Sequence, residues 1–176
     1  LGAMPRELRY WSYHFSPSFD YFLPFSHERC SITPRVNHRL DLDRPLQQIE
    51  ANFSSSITNH LKKAQLHGLA CRESRDIRSL AAQMRRLGFI RTEAEQAAFM
   101  RLWQAAVLRR QAFLLEVADG AGRIHCQGLF ITSEGKAVFI ASALNPLWKH
   151  QGANSFLIWH AIRHCKALGI RELDFK

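Results

Sequence analysis

The sequence has no CxxC pair, and its four cysteines, Cys30, Cys71, Cys126 and Cys165, are spread far apart. That spacing excludes a zinc knuckle and a dithiol redox motif, and the thiols are expected to be reduced and mostly buried. No uninterrupted apolar run approaches the roughly 18 residues of a membrane span, and the opening residues do not read as a leader. A cytoplasmic protein without integral membrane association is therefore expected. His160 and His164 stand one helical turn apart, but no Glu completes an HExxH and spacing places no third ligand, so no metal is expected. Acidic residues are the scarcer charge: 15 Asp and Glu stand against 24 Lys and Arg, leaving a net charge of +9. That balance suits phosphate-bearing partners such as nucleic acids, nucleotide cofactors and anionic headgroups. The basic residues are scattered rather than gathered in a tail, so charge alone selects none of these.

What is present is enough for one domain: 176 residues, 47% hydrophobic and 22% charged, can bury a real core. Residues 10–25 carry Tyr10, Trp11, Tyr13, Phe15, Phe19, Tyr21, Phe22 and Phe25 around Pro17 and Pro24. No period persists there, which predicts an irregular arm that packs its rings against a neighbouring lobe, with base stacking as the other use of such rings. Residues 36–42 alternate as a strand. A helix is expected from Asp43 and Pro45 to about residue 64, interrupted near Ser54, Ser55 and Ser56, and a short strand follows at 69–72. Asp76 caps a helix over 77–87, and Thr92 starts another that runs to about residue 110. Strands at 112–118, 123–132 and 137–143, separated by DGAG and SEGK turns, form a meander.

The last stretch reads as strand, loop, helix and strand. Helix 154–168 starts at Asn154, stops at Gly169 and gathers Ile158, Ala161, Ile162, Cys165 and Leu168 on one face, with Arg163, His164 and Lys166 opposite. Its first amides, behind a loop with Lys149, Gln151 and Gly152, are an anion site. The strand at 170–175 is expected beside 137–143 through a right-handed crossover. The sum is an α+β fold, a mixed, largely antiparallel sheet flanked by helices.

Four segments carry a family likeness: NHRLDL at 37–42, HLKKAQLHGL at 60–69, HQGANSFLIWHAI at 150–162 and KALGIRELDF at 166–175. Their order resembles the Gcn5-related N-acetyltransferase (GNAT) fold, and the segments are similar to those of its two-lobed relatives, the Fem-type peptidoglycan aminoacyltransferases and associated acetyltransferase-like proteins. The resemblance spans about residues 35–176. It implies a GNAT-like domain there, shortened at its C-terminal end, with residues 1–34 as an aromatic arm or the remnant of a preceding lobe. It further implies an N-acyltransferase that moves an acyl group from acyl-coenzyme A to an amine. The alternatives are a Fem-type transferase that uses aminoacyl-transfer RNA on a peptidoglycan precursor, and a non-catalytic domain of the same fold.

On that resemblance the donor's pyrophosphate is bound by Lys149, His150, Gln151, Gly152, Ala153, Asn154 and Ser155. Lys149 takes the basic position of the family pattern, and Asn154 stands where Gly or Ala is usual. Amides of a splayed strand at 138–143 polarise the acyl carbonyl. The candidates for proton transfer are Glu116, His125 and Asp174, with His150 beside the loop, and no motif fixes the role of any of them. Lys62, Lys63 and His60 read either as a helix end that favours cations or as contacts to transfer RNA. Cys126 alternates within a central strand and reads as core rather than nucleophile.

Overall fold

The computed structural model describes residues 21, 23–27, 31–33 and 37–175. The chain divides into two compact units, Leu1–Asn37 and His38–Lys176. In the first, the described structure is a five-residue helix, α1 (Leu23–His27). It falls at the end of the aromatic segment that was expected to be irregular, and most of that segment, including residues 10–19 and Phe22, lies outside the described residues.

The second unit runs β1 (Arg39–Asp41), α2 (Leu46–Ala51), α3 (Ser55–Leu66), β2 (Ala70–Ser74), α4 (Ile77–Arg86), α5 (Glu93–Leu108), β3 (Ala112–Ala118), β4 (Ile124–Ser133) and β5 (Lys136–Leu144). A 3₁₀ turn (Pro146–Gln151), α6 (Ala153–Ala167) and β6 (Glu172–Asp174) complete it. The serine run breaks the helix predicted over 45–64 because Ser54 spends its hydroxyl as a cap, accepting from the amide of Ile57 at 3.4 Å. Asp76 caps α4 through the amide of Ser79. Thr92 caps α5, as the local sequence requires.

Six strands form one sheet in the order β1-β6-β5-β4-β3-β2. Every pairing is antiparallel except β5 with β6, where the expected crossover through α6 makes them parallel. The two strands at one end of the sheet, β1 and β6, are shorter than the residue pattern predicts. Their extensions are held by single bonds instead, Leu42 N–H to the Arg171 carbonyl and Phe175 N–H to the His38 carbonyl.

Alternation along β3 divides the core between the two faces. Phe113, Leu115 and Val117 join Ile49, Ala64, Leu157, Ala161, Ile162 and Cys165 under α2, α3 and α6. Leu114, with Leu129 and Ala143, packs under Ile77 and Leu80 of α4 and the half-buried Phe99, Met100 and Trp103 of α5. Gly128 of β4 allows α6 to approach closely, because a Cβ there would stand 2.6 Å from Cδ2 of Leu157.

Two expectations about α6 are corrected. Gly152, not Asn154, is its N-cap, since the 3₁₀ turn runs through Gln151 and Gly152 reverses the chain at φ 77°. His164 and Lys166 do not form an open polar face. The ring of His164 lies 4.5 Å from that of Phe113, and the Lys166 ammonium donates to the carbonyls of Leu42 and Arg44, because the sheet and the α2 segment flank the helix on both sides.

Candidate active site at the β5–β6 fork

β5 and β6 stay together for three register pairs, Lys136 with Glu172, Ala137 with Leu173 and Val138 with Asp174. Beyond Val138, residues 139–144 pair with β4 alone among the described residues. The register shows why the strands part. Phe130 opposes Phe139 and Leu129 opposes Ala141, so Ile140 is an extra residue in β5. A bulge of this kind bends its strand and raises the local twist, which turns β5 away from β6 and leaves a row of backbone amides and carbonyls facing the gap.

The loop that leaves β5 leads straight to α6. Asn145 opens the 3₁₀ turn, its side-chain oxygen accepting from the amide of Leu147 at 3.1 Å. Lys149 and His150 are exposed, Gln151 is half-buried, Gly152 and Ala153 are buried, Asn154 is exposed and Ser155 is half-buried. Among the described residues no side chain caps the first turn of α6. The two side chains best suited to the task point elsewhere: Ser155 Oγ lies 3.1 Å from Nδ1 of His60, and Asn154 Oδ1 accepts from the Cys126 thiol at 3.9 Å. α3 crosses here so closely that a Cβ on Gly152 would run into the His60 carbonyl. The loop residues predicted from the sequence are thus contiguous, and the exposed ones are Lys149, His150 and Asn154.

The proton-transfer candidates are not gathered together. Glu116, buried on β3, accepts from Arg72 Nε and Nη2 at 3.0 and 2.6 Å and from Gln127 Nε2 at 3.0 Å. His125 is 1% exposed, with Nε2 3.2 Å from Asp119 Oδ2. Asp174 ends β6 opposite Val138, at the point where the strands separate, and its Oδ2 is 3.9 Å from Arg39 Nε. Burial works against the charged Asp119 carboxylate. Hydrogen bonds from the Arg123 backbone and side chain and from His125 outweigh it and hold Asp119 well below the usual carboxylate range.

Other groups singled out in the sequence have structural surroundings. Burial pushes the thiols of Cys71, Cys126 and Cys165 up to about 12, with Glu116 adding to the effect at Cys71 and Cys71 at Cys126. They are protonated at neutral pH, which makes them poor nucleophiles; Cys30 lies outside the described residues. His160 packs 4.5 Å from the ring of Phe156, and burial, then Arg163, lowers its pKa. No group of three metal-ligating side chains occurs among the described residues. Lys62 and Lys63 are exposed on α3, in the turn after His60. Among the described residues no helix is long and apolar enough to cross a membrane. Sequence reasoning missed Trp148, the Ile140 bulge and the bond between His60 and Ser155. Asp119 and Arg123 were visible only as ends of a turn.

A bulged strand that forks from its parallel neighbour, followed by a loop and a helix with an uncapped start, is the arrangement of an acyltransferase fold. Residues 52–176 match the acetyltransferase (GNAT) domain, and the chain belongs to that family. No curated protein matches it. Among solved structures, FemX superposes with a TM-score of 0.68 at 11% identity, over 82% of this chain and 53% of FemX. A conserved protein of unknown function from Bacteroides thetaiotaomicron VPI-5482 gives 0.56 at 8% identity, over 79% of this chain and 49% of that one. L-PGS from Bacillus licheniformis gives 0.50 at 10%, over 79% and 43%. These likenesses are likenesses of fold, and the chain spans about half the length of each structure.

Proposed function

We propose that the chain transfers an acyl group from acyl-coenzyme A to an amine at the β5–β6 fork. The observation that carries this reading is the one-sided pairing of residues 139–144. An extended donor arm bearing amides can lie along that edge as an added strand, bringing its thioester carbonyl to a β5 N–H. That N–H then stabilises the oxyanion as the amine attacks. The new C–N bond forms, the C–S bond breaks, the amine gives up its proton and the thiolate leaves to be protonated. Asp174, at the point of separation, is our candidate for the proton acceptor. Glu116 and His125 are buried in pairs of their own away from that point. The donor's phosphates meet Lys149, His150 and the first turn of α6, where no side chain competes for the amides.

Calorimetric titration of acetyl-coenzyme A tests the reading, with saturable binding expected. No binding at millimolar ligand overturns it and leaves a transferase with another donor or a non-catalytic domain of the same fold. Asn154→Gly should tighten donor binding by removing a side chain at the phosphate position. An unchanged or weaker affinity removes this turn from the donor site.

The exposed Lys62 and Lys63, on the helix that crosses the start of α6, support a second reading in which the donor is aminoacyl-transfer RNA and the acceptor a peptidoglycan precursor. Salt separates the two. Binding of transfer RNA should weaken steeply with ionic strength through counterion release, and binding of acyl-coenzyme A far less.

A further inference from the structure

We infer that Asp119, Arg123, His125 and Trp148 form a clamp that positions the donor loop, residues 145–152, and thereby sets donor affinity; the inference rests on the reading above. The clamp is built on the β3–β4 turn. Oδ1 of Asp119 accepts from the amides of Ala121 and Arg123, both at 3.0 Å, and Oδ2 accepts from Arg123 Nε at 2.7 Å and His125 Nε2 at 3.2 Å. One carboxylate therefore fixes the turn and orients two side chains.

Both of those side chains lie against the same ring in the loop. The imidazole of His125 stacks on Trp148 with centroids 5.1 Å apart and planes 24° apart, and the Arg123 guanidinium sits 5.0 Å from the Trp148 ring. His125 holds the loop a second time, its carbonyl accepting from the amide of Asn145 at 2.8 Å. Asn145 in turn accepts from Leu147 at its side chain and from Trp148 at its carbonyl. Lys149 and His150 follow directly, so the ring that the clamp grips is next to two exposed residues of the loop.

The tautomer of His125 supports a positioning role. Its Nε2 faces a carboxylate, which only accepts, so Nε2 carries a proton, and Nδ1 is buried with no partner among the described residues. A buried unpaired polar nitrogen disfavours folding, and an apolar side chain at this place would avoid it. What the imidazole provides in return is a flat ring held at a fixed angle to Trp148. An apolar residue that cannot bond Asp119 lacks that anchor.

The test pairs amide hydrogen exchange of residues 147–155 with donor and acceptor kinetics. Trp148→Ala should speed exchange in the loop and raise the KM for acetyl-coenzyme A about tenfold, with kcat within about twofold and the acceptor KM unchanged. Trp148→Phe, which keeps a stacking ring, should restore most of the affinity. Arg123→Ala removes only an exposed arm of the clamp and should give about threefold, which keeps the test open if Trp148→Ala does not fold. Unchanged exchange in the folded variants overturns the clamp, as does faster exchange with an unchanged donor KM. A wild-type chain that binds no donor overturns the clamp and the proposed function together.

Discussion

At the start of α5, Thr92 Oγ1 accepts from the amide of Glu95 at 3.1 Å while the Glu95 carboxylate accepts from the amides of Thr92 and Arg91 at 3.1 and 2.7 Å. At the start of α6, no side chain among the described residues caps the helix, although Asn154 and Ser155 are both in its first turn. α5 satisfies its own leading amides with local side chains, and almost any tertiary surrounding would leave it capped. α6 leaves that task open, and the side chains that would close it are diverted to Cys126 and His60. The contrast separates a helix closed by its own side chains from one whose first amides no side chain among the described residues caps. It also shows what diverts the side chains: α3 and β4 arrive at α6 from elsewhere in the chain.

The largest expected effect comes from filling the approach of α3 to α6. Gly152→Ala should destabilise the fold by about 3 kcal/mol, because it adds a collision with the His60 carbonyl to a positive φ of 77°. Gly169→Ala is the control, with φ 72° and nothing within 4 Å. It should cost about 1 kcal/mol in urea denaturation, and equal losses at the two positions would mean that the close packing contributes nothing. Thr92→Ala should remove about 1 kcal/mol of stability while donor affinity stays unchanged. A drop in donor affinity there would erase the distinction between the two helix starts. Ser155→Ala loses the bond to His60 and should cost about 0.5–1 kcal/mol, visible as faster exchange in the first turn of α6.

Acidification gives the smallest and most selective effect. The amides of Arg91 and then Thr92, outweighing a small desolvation, lower the pKa of Glu95 in the folded chain. Its contribution is therefore fully present above the ordinary carboxylate range and is lost as pH falls through the lowered value. No acidic residue stands in the first turn of α6. Over the acid limb, exchange corrected for its intrinsic pH dependence should rise in the first turn of α5 and stay level in that of α6. A parallel rise in both would point to global unfolding instead.

How much of this was readable in the residues varies with the range of the interaction. The caps at Asp76 and Thr92 lie three residues from the amides they bond, and the helices they begin follow from the sequence. The β3–β4–β5 meander follows from alternation and its two turns. The parallel placement of β6 beside β5 follows from the handedness of the crossover. The single helix expected over 45–64 separates into two at the serines that made it suspect. The contiguity of residues 149–155 at the start of α6 was legible, but their burial was not, since Gly152 is covered by α3, which precedes it by most of the sheet. Nothing in AVFIASAL marks Ile140 as the extra residue, because a bulge is defined by the strand opposite. Of the three proton-transfer candidates, only their identity as titratable side chains could be read; that Asp174 stands at the fork while Glu116 and His125 are tied to Arg72 and Asp119 depends on strand register.

Sequence alone determines the order of elements, because periodicity, caps and turns act over a few residues; the family follows from the likeness of residues 52–176 to its model. Tertiary structure decides where β5 leaves β6, what covers the start of α6 and what holds Trp148 in place. Each of these depends on groups brought together from distant parts of the chain: β4 against Ile140, His60 against Gly152, and the β3–β4 turn against the loop.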